Sequence, residues 1–264
     1  MVIDFHTHAF PDAIAERAMA SLIKGCEGEY IPCSDGTVSG LVNNMDAFGV
    51  DISVVQPVIT KQSQLKSLNE WACSIQNDRL ISFGGVFPHT DDYKRDIDFV
   101  CSLGLRGIKL HPEYQNFEVD APEMLRLYDY ALSRGLIILL HAGYDPAFPP
   151  PIHSSPERIA VVSKQMRGGV IVAAHLGGML QWEDVERHLA GTDVYLDTSM
   201  GFNYYPHDLF LRIVKAHGAD KILFASDAPW SRAGEEISAL KGMPLTDEEK
   251  DMIFFKNAKH LLSK

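Results

Sequence analysis

The 264-residue chain has little of what several function classes require. Its four cysteines, Cys26, Cys33, Cys73 and Cys101, are too few and too irregularly spaced for a disulfide framework or a cysteine-based zinc knuckle, and they read as free thiols. Lys and Arg number 24 against 35 Asp and Glu, a formal net charge of −11, and the basic residues are scattered. Without a basic patch to neutralise phosphates, nucleic-acid binding and adhesion to an anionic membrane are both disfavoured. Hydrophobic residues at 46% and charged residues at 22% are ordinary for a soluble globular chain, so neither disorder nor a membrane span is expected. Nothing at the start combines a basic segment, an apolar run and a small-residue cleavage site, which predicts a cytoplasmic protein. The chain also lacks Gly-x-Gly-x-x-Gly, the phosphate-loop lysine motif and Gly-x-Ser-x-Gly, and with them the usual chemistries of open α/β sheets.

What is present is a regular alternation of apolar strands and amphipathic helices, beginning with Met1-Val2-Ile3-Asp4-Phe5-His6-Thr7-His8. Period-two alternation puts Val2, Asp4, His6 and His8 on one face and Ile3, Phe5 and Thr7 on the other. Two imidazoles thus leave one strand side by side, which suits a divalent metal. Helical patterning follows over residues 11–24 (Ile14, Ala18, Leu22) and 38–48, with Gly49 as a stop. Asp120-Ala-Pro-Glu123 supplies an N-cap with an acid three residues on, Ser155-Pro156-Glu157 a cap with a first-turn proline, and Thr246-Asp-Glu-Glu249 a capping box. Strands are predicted to end at His6, Pro57, Phe87, Leu110, His141, His175, Asp197 and Asp227, each followed by a helix. From the third strand onward these ends are 22 to 34 residues apart, the size of one strand-helix unit. The pattern predicts a single α/β domain over residues 1–264, a (β/α)8 TIM barrel, with a doubly wound open sheet as the alternative.

In such a barrel the chemistry sits at the C-terminal ends of the strands. Standing there are His6 and His8, His141 in Leu-Leu-His-Ala-Gly, His175 in Ala-Ala-His-Leu-Gly-Gly, and Asp227 in Ala-Ser-Asp-Ala-Pro-Trp. Parity places Ile137 and Leu139 with His141, Ile171 and Ala173 with His175, and Leu223 and Ala225 with Asp227. Each strand would then send apolar side chains into the lower barrel and one polar group to its mouth. Lys109 and His111 share a face, so Lys109 should point into the barrel, where a buried amine needs a partner. Asp4, interior by the same alternation, is the expected one. Tyr144 and Phe202 follow barrel strands and suit a pocket wall, and Arg232 could bind a carboxylate, so Lys109, His111, Tyr144, Phe202 and Arg232 form the expected substrate-binding set. His89, His153, His188, His207, His217 and His260 fall in presumed loops or helices and read as surface residues.

His-x-His on the first strand, His on the fifth and sixth and Asp on the eighth together resemble the amidohydrolase superfamily of metal-dependent barrel enzymes, over essentially the whole chain. Within it, Ile3-Asp4-Phe5-His6-Thr7-His8, Gly107-Ile-Lys-Leu-His-Pro112 and Asn257-Ala-Lys-His-Leu-Leu262 look most like the amidohydrolase-related branch. That branch includes aminocarboxymuconate semialdehyde decarboxylase and related decarboxylases as well as hydrolases. The resemblance implies that His6, His8, His141 and Asp227 ligate one zinc, that Asp227 also carries a proton, and that His175 orients water or a substrate oxygen. It implies hydrolysis of an amide, ester or lactone-like bond in a small molecule by zinc-activated water. The alternative is non-oxidative decarboxylation of a small unsaturated or aromatic acid; a non-catalytic metal-binding barrel is the alternative of another class. Manganese could stand in for zinc, and a second metal is expected if Lys109 is carbamylated as in two-metal members. Superfamily habit leaves a homo-oligomer open.

Overall fold

The computed structural model describes residues 1–263. Its strands are β1 (Ile3–Thr7), β2 (Ile52–Val55), β3 (Leu80–Ser82), β4 (Gly84–Gly85), β5 (Gly107–Leu110), β6 (Ile137–Leu140), β7 (Ile171–Ala173), β8 (Tyr195–Asp197) and β9 (Ile222–Leu223). All ladder pairs are parallel, and neighbours follow chain order in two runs, β1 to β3 and β4 to β9. Phe83 alone separates β3 from β4, and its N–H donates to Val55 O at 2.9 Å, so the two pieces make one barrel strand. At the other seam Phe5 N–H donates to Phe224 O at 2.9 Å and Thr7 bridges Ala228. The sheet is thereby closed into the predicted eight-stranded barrel.

The helices Asp12–Gly25, Val38–Phe48, Leu65–Ser74, Tyr93–Ser102, Pro122–Ser133, Pro156–Gln165, Trp182–His188 and His207–His217 occupy the predicted stretches. Gly49 ends the second with φ 72°, a left-handed conformation that costs glycine nothing, and Thr246 with Glu249 forms the predicted capping box. Asp120 does not cap: Ala121 is the N-cap residue, with Pro122 opening the helix, and the Asp120 carboxylate pairs with Arg158 instead. After β9 comes an unforeseen helix, Ala233–Gly242, and the predicted final helix is interrupted by a π turn over Met252–Lys256. Beyond that turn Asn257 Nδ2 donates to Ala219 O and Ile222 O, at 2.7 and 2.8 Å, fastening the last helix to the start of β9. Ala258 and Leu261 of this helix pack against Ile3 and Ile137, at the N-terminal ends of their strands. All four cysteines are free, and no helix among the described residues is long and apolar enough to cross a membrane.

Two expectations of strand parity are corrected. The barrel interior is filled by Ile3 and Phe5 of β1 together with Val54, Phe83, Ile137, Leu139, Val172 and Leu223. Val2 and Asp4 therefore do not share the interior face. From Asp4 to Thr7 the chain of β1 advances three residues while β2 advances two, from Ser53 to Val55, a bulge that resets the alternation between Asp4 and the end of the strand. On β7, Val172 and Ala174 face inward and Ile171 and Ala173 pack outward among helix residues. His175 still reaches the mouth because its backbone turns left-handed, with φ 57°, as does Leu176 with φ 54°. His217, expected at the surface, is buried, its ring nitrogens 3.1 and 2.8 Å from Leu189 O and Val194 O.

Candidate active site

The site is built from the orientation of its imidazoles. His6 Nδ1 lies 2.9 Å from Asp197 Oδ2, and His8 Nδ1 lies 2.9 Å from the carbonyl of Gln56. A carbonyl oxygen only accepts, so His8 Nδ1 carries its proton, and Asp197 takes the Nδ1 proton of His6 in the same way. Both rings are held with a bare Nε2. Those two atoms stand 3.2 Å apart, and Asp227 Oδ1 lies 3.3 Å from the first and 3.1 Å from the second. Asp227 Oδ1 is buried with no hydrogen-bond partner. Three electron-pair donors face one another with no proton of their own to share, an arrangement that repels itself until a cation enters. The only donor reaching in among the described residues is Lys109 Nζ, 3.0 Å from His6 Nε2.

A second relay sets His141. His175 Nδ1 faces Ser199 O at 3.2 Å and so carries a proton, leaving His175 Nε2 to accept from His141 Nδ1 at 3.1 Å. His141 Nε2 is then bare, buried and unpartnered. The donor atoms of His6, His8 and Asp227 lie within 4.8 Å of one another; His141 falls outside that set and within the same limit of His111 and Asp145. His111 is otherwise engaged. Its Nδ1 accepts the Tyr114 N–H at 3.5 Å, so Nε2 keeps a proton, 3.4 Å from Asp145 Oδ2, while the ring stacks on His141 at 4.0 Å.

Burial pushes His6, His111 and His141 well below the ordinary imidazole value; the Lys109 ammonium adds to this at His6 and His111, and neighbouring His111 does so at His141. All three are neutral at physiological pH. Burial also lowers Lys109 to about 8, against the pull of Asp227 and Asp197. Asp4 is not the partner of Lys109: its oxygens take the Ser226 N–H at 2.9 Å and the Ser226 hydroxyl at 2.6 Å, and burial raises its pKa to about 7.

A cavity of about 420 Å³ opens above this cluster, lined by all five strand-end residues and by Lys109, His111 and Tyr144. Phe202 does not line it; the ring is buried against Tyr205 and Phe210, with centroids 5.2 and 5.0 Å away. Arg232 also lies outside, exposed, with Nε 3.9 Å from Glu235. The groups that sequence reasoning missed are those behind the ligands. Asp197 was visible as a strand-end carboxylate, and its Oδ1 accepts from His175 N, Ser199 N and the Ser199 hydroxyl. Gln56 acts through its main-chain oxygen, which leaves no trace in residue identity, whereas Ser199 acts through both its main-chain oxygen and its hydroxyl.

Fold and site together define a class: a closed α/β barrel whose strand ends converge neutral imidazoles and a carboxylate on one point. The chain belongs to the Amidohydrolase family, whose sequence profile, Amidohydro_2, matches residues 3–264. No curated protein matches it in sequence. Among solved structures it is similar to an uncharacterised TIM-barrel protein from Bordetella bronchiseptica, with TM-score 0.78, 18% identity and coverage of 99% of this chain and 98% of that one. It is also similar to 5-carboxyvanillate decarboxylase from Novosphingobium aromaticivorans, solved with bound manganese and 3-methoxy-4-hydroxy-5-nitrobenzoic acid (TM-score 0.75, 12% identity, coverage 100% and 97%). A third is a proposed 2-pyrone-4,6-dicarboxylic acid hydrolase from Pseudomonas putida (TM-score 0.69, 16% identity, coverage 99% and 97%). At these identities the likeness shows the fold.

Proposed function

We propose that the protein is a metal-dependent enzyme that removes CO2 from a small carboxylic acid without oxidation, with His6, His8, His141 and Asp227 holding one divalent ion, zinc or manganese. The observation that carries the reading is the set of bare, mutually repelling donor atoms at the floor of a mostly apolar cavity. When bound, the ion would supply the positive charge that draws in and polarises the substrate's oxygens. The chain does the rest. Asp197 and the Gln56 carbonyl fix the two rings of the first strand, and Lys109 adds a second positive charge for an anionic head. Apolar walls exclude water and favour neutral CO2 over the carboxylate that enters. As the carbon–carbon bond breaks, its electron pair stays on the remaining carbon, which takes a proton supplied by water or a substrate hydroxyl; Asp227, with an unpartnered Oδ1, is placed to pick that proton up and pass it on, and His175, also lining the cavity, holds His141 in position. The manganese-bound decarboxylase relative supports both the ion and the reaction.

Hydrolysis of an amide, ester or lactone-like bond is the second reading. It is favoured by the unpartnered Asp227 Oδ1 at the floor of the cavity, a carboxylate oxygen able to take a proton from an attacking water. The test is to offer metal-loaded protein a panel of aromatic and unsaturated acids, followed by CO2 release, beside a panel of lactones, esters and amides, followed by acid release. CO2 release lost in Asp227→Asn is the expected result. Acid release alone would replace decarboxylation by hydrolysis, and a tightly bound metal with neither product would leave a non-catalytic barrel.

A further inference from the structure

The apolar stripe Ile14, Ala18 and Leu22 on the helix Asp12–Gly25 does not face the core. The buried residues of that helix are Ala15 and Met19, whereas Ile14, Ala18 and Leu22 are half-buried, stand outside both hydrophobic clusters and line the cavity. Leu68 and Trp71 of the helix Leu65–Ser74 line the same space. One slot therefore joins the histidine cluster to apolar side chains of two helices. At about 30 Å³ per water its 420 Å³ holds about 14 water-sized groups, and a benzoate, with roughly nine heavy atoms, leaves a good part of it empty. Charge is distributed just as unevenly. Among the described residues the lining contains no arginine and one lysine, Lys109, at the inner end, while the carboxylate of Asp145 stands on the wall. A second carboxylate on the ligand would meet no cation in the outer slot and one acid beside it, at a desolvation cost that nothing there offsets.

We propose that the slot takes the apolar tail of a single-headed acid, an alkyl- or aryl-substituted monocarboxylate, and discriminates against dicarboxylates. The inference rests on reading the histidine cluster as the metal-dependent centre that receives the head. Its test is calorimetric binding of benzoate, 4-butylbenzoate, 4-hexylbenzoate and isophthalate to the zinc-loaded protein. Affinity is expected to rise about 4-fold for each methylene buried, by at least 10-fold from benzoate to the hexyl compound, and isophthalate is expected to bind more weakly than benzoate. Ala18→Phe, which fills the slot, is expected to collapse the ratio of hexylbenzoate to benzoate affinity; should it fail to fold, Leu68→Ser on the other helix gives the same ratio test. Benzoate binding with no gain along the series, a ratio unmoved by the slot variants, or tighter binding of isophthalate would each overturn the tail assignment and leave the cluster reading intact. Failure of the zinc-loaded wild type to bind any of the acids would overturn the cluster reading and the inference with it.

Discussion

Asp197→Asn isolates the contribution of a residue that touches neither metal nor cavity. Asp197 is fully buried, with Oδ2 taking the His6 Nδ1 proton at 2.9 Å and Oδ1 accepting from His175 N at 3.0 Å and Ser199 N at 3.1 Å. An amide can serve only one of these sides. With its oxygen toward His6, its NH2 confronts two main-chain N–H groups; with its NH2 toward His6, the ring must move its proton to Nε2, where the ligand lone pair was. The first arrangement strands buried donors at a cost of about 1–3 kcal/mol. In the second the cost falls directly on metal binding, about 10- to 100-fold in affinity, the size usual for a partner behind a metal-bound histidine. Competition with a chromophoric zinc chelator at neutral pH measures the loss, and thermal melts of the metal-free protein separate it from a general loss of stability. Zinc affinity within about 2-fold of the wild type would refute the tautomer argument and the ligand reading built on it.

Removing a ligand itself should act more severely: His8→Ala and Asp227→Ala each delete one of three converging atoms and are expected to abolish stoichiometric zinc retention, read by elemental analysis, along with turnover. Chelation of the wild type should lower its melting temperature in proportion to the free energy of binding. Glu236 is buried against the Ser231 hydroxyl and Phe202 N, and burial raises its pKa from 4.5 to about 8. The native state keeps a proton that the unfolded chain releases. This contribution is full below about pH 4.5 and is lost as pH rises through about 8, a few kcal/mol in all. Glu236→Gln should therefore flatten the decline in wild-type melting temperature between about pH 5 and 9, and parallel curves would contradict the assignment. Gly143 has φ 85°, and a Cβ there would lie 2.2 Å from Met179 N and 2.6 Å from the carbonyl carbon of Gly178. Gly143→Ala should cost upwards of 2 kcal/mol and lower the melting temperature by about 5 °C or more; a shift under a degree would show that the two loops yield.

The barrel was legible because its signals are local and repeated: apolar runs bounded by Gly49, by the Ser155 cap and by the Thr246 box behave as their chemistry dictates. The strand-end histidines were legible for a related reason, since a barrel turns residues far apart in sequence into neighbours at one face. Loop residues carry no such constraint. Phe202 and Arg232 both follow strands, yet one is buried among aromatic rings and the other is exposed beside Glu235. The stripe Ile14, Ala18 and Leu22 announced a helix but not what covers it, because periodicity is the same whether an apolar face meets the core or an empty slot. Protonation was the least accessible property of all, being set by carbonyls such as Gln56 O that any residue could provide.

Strand parity shows how the strand-end residues could be named together from partly incorrect geometry. Alternation put His6 and His8 on one face, and both line the cavity, but it carried Asp4 to that face as well, across a bulge that lies between Asp4 and Thr7. Parity likewise extended Ile171 and Ala173 to His175, although the chain turns left-handed at that residue and reverses the relation. The first failure sits at a bulge inside a strand and the second just past a strand's end. Asp227 repeats the pattern, with φ 67° and its N–H donating to His6 O at 2.8 Å. Left-handed backbone at a non-glycine residue costs about 1–3 kcal/mol and persists only where contacts over-determine it. At His175 and Asp227 those contacts are the Asp197 carboxylate and the His6 carbonyl, from the same strand-end groups that position the imidazoles. The strain and the ligand geometry therefore have one set of supports, so a substitution that loosens the supports should disturb stability and metal affinity together, whereas Leu68→Ser in the slot should leave metal affinity unchanged.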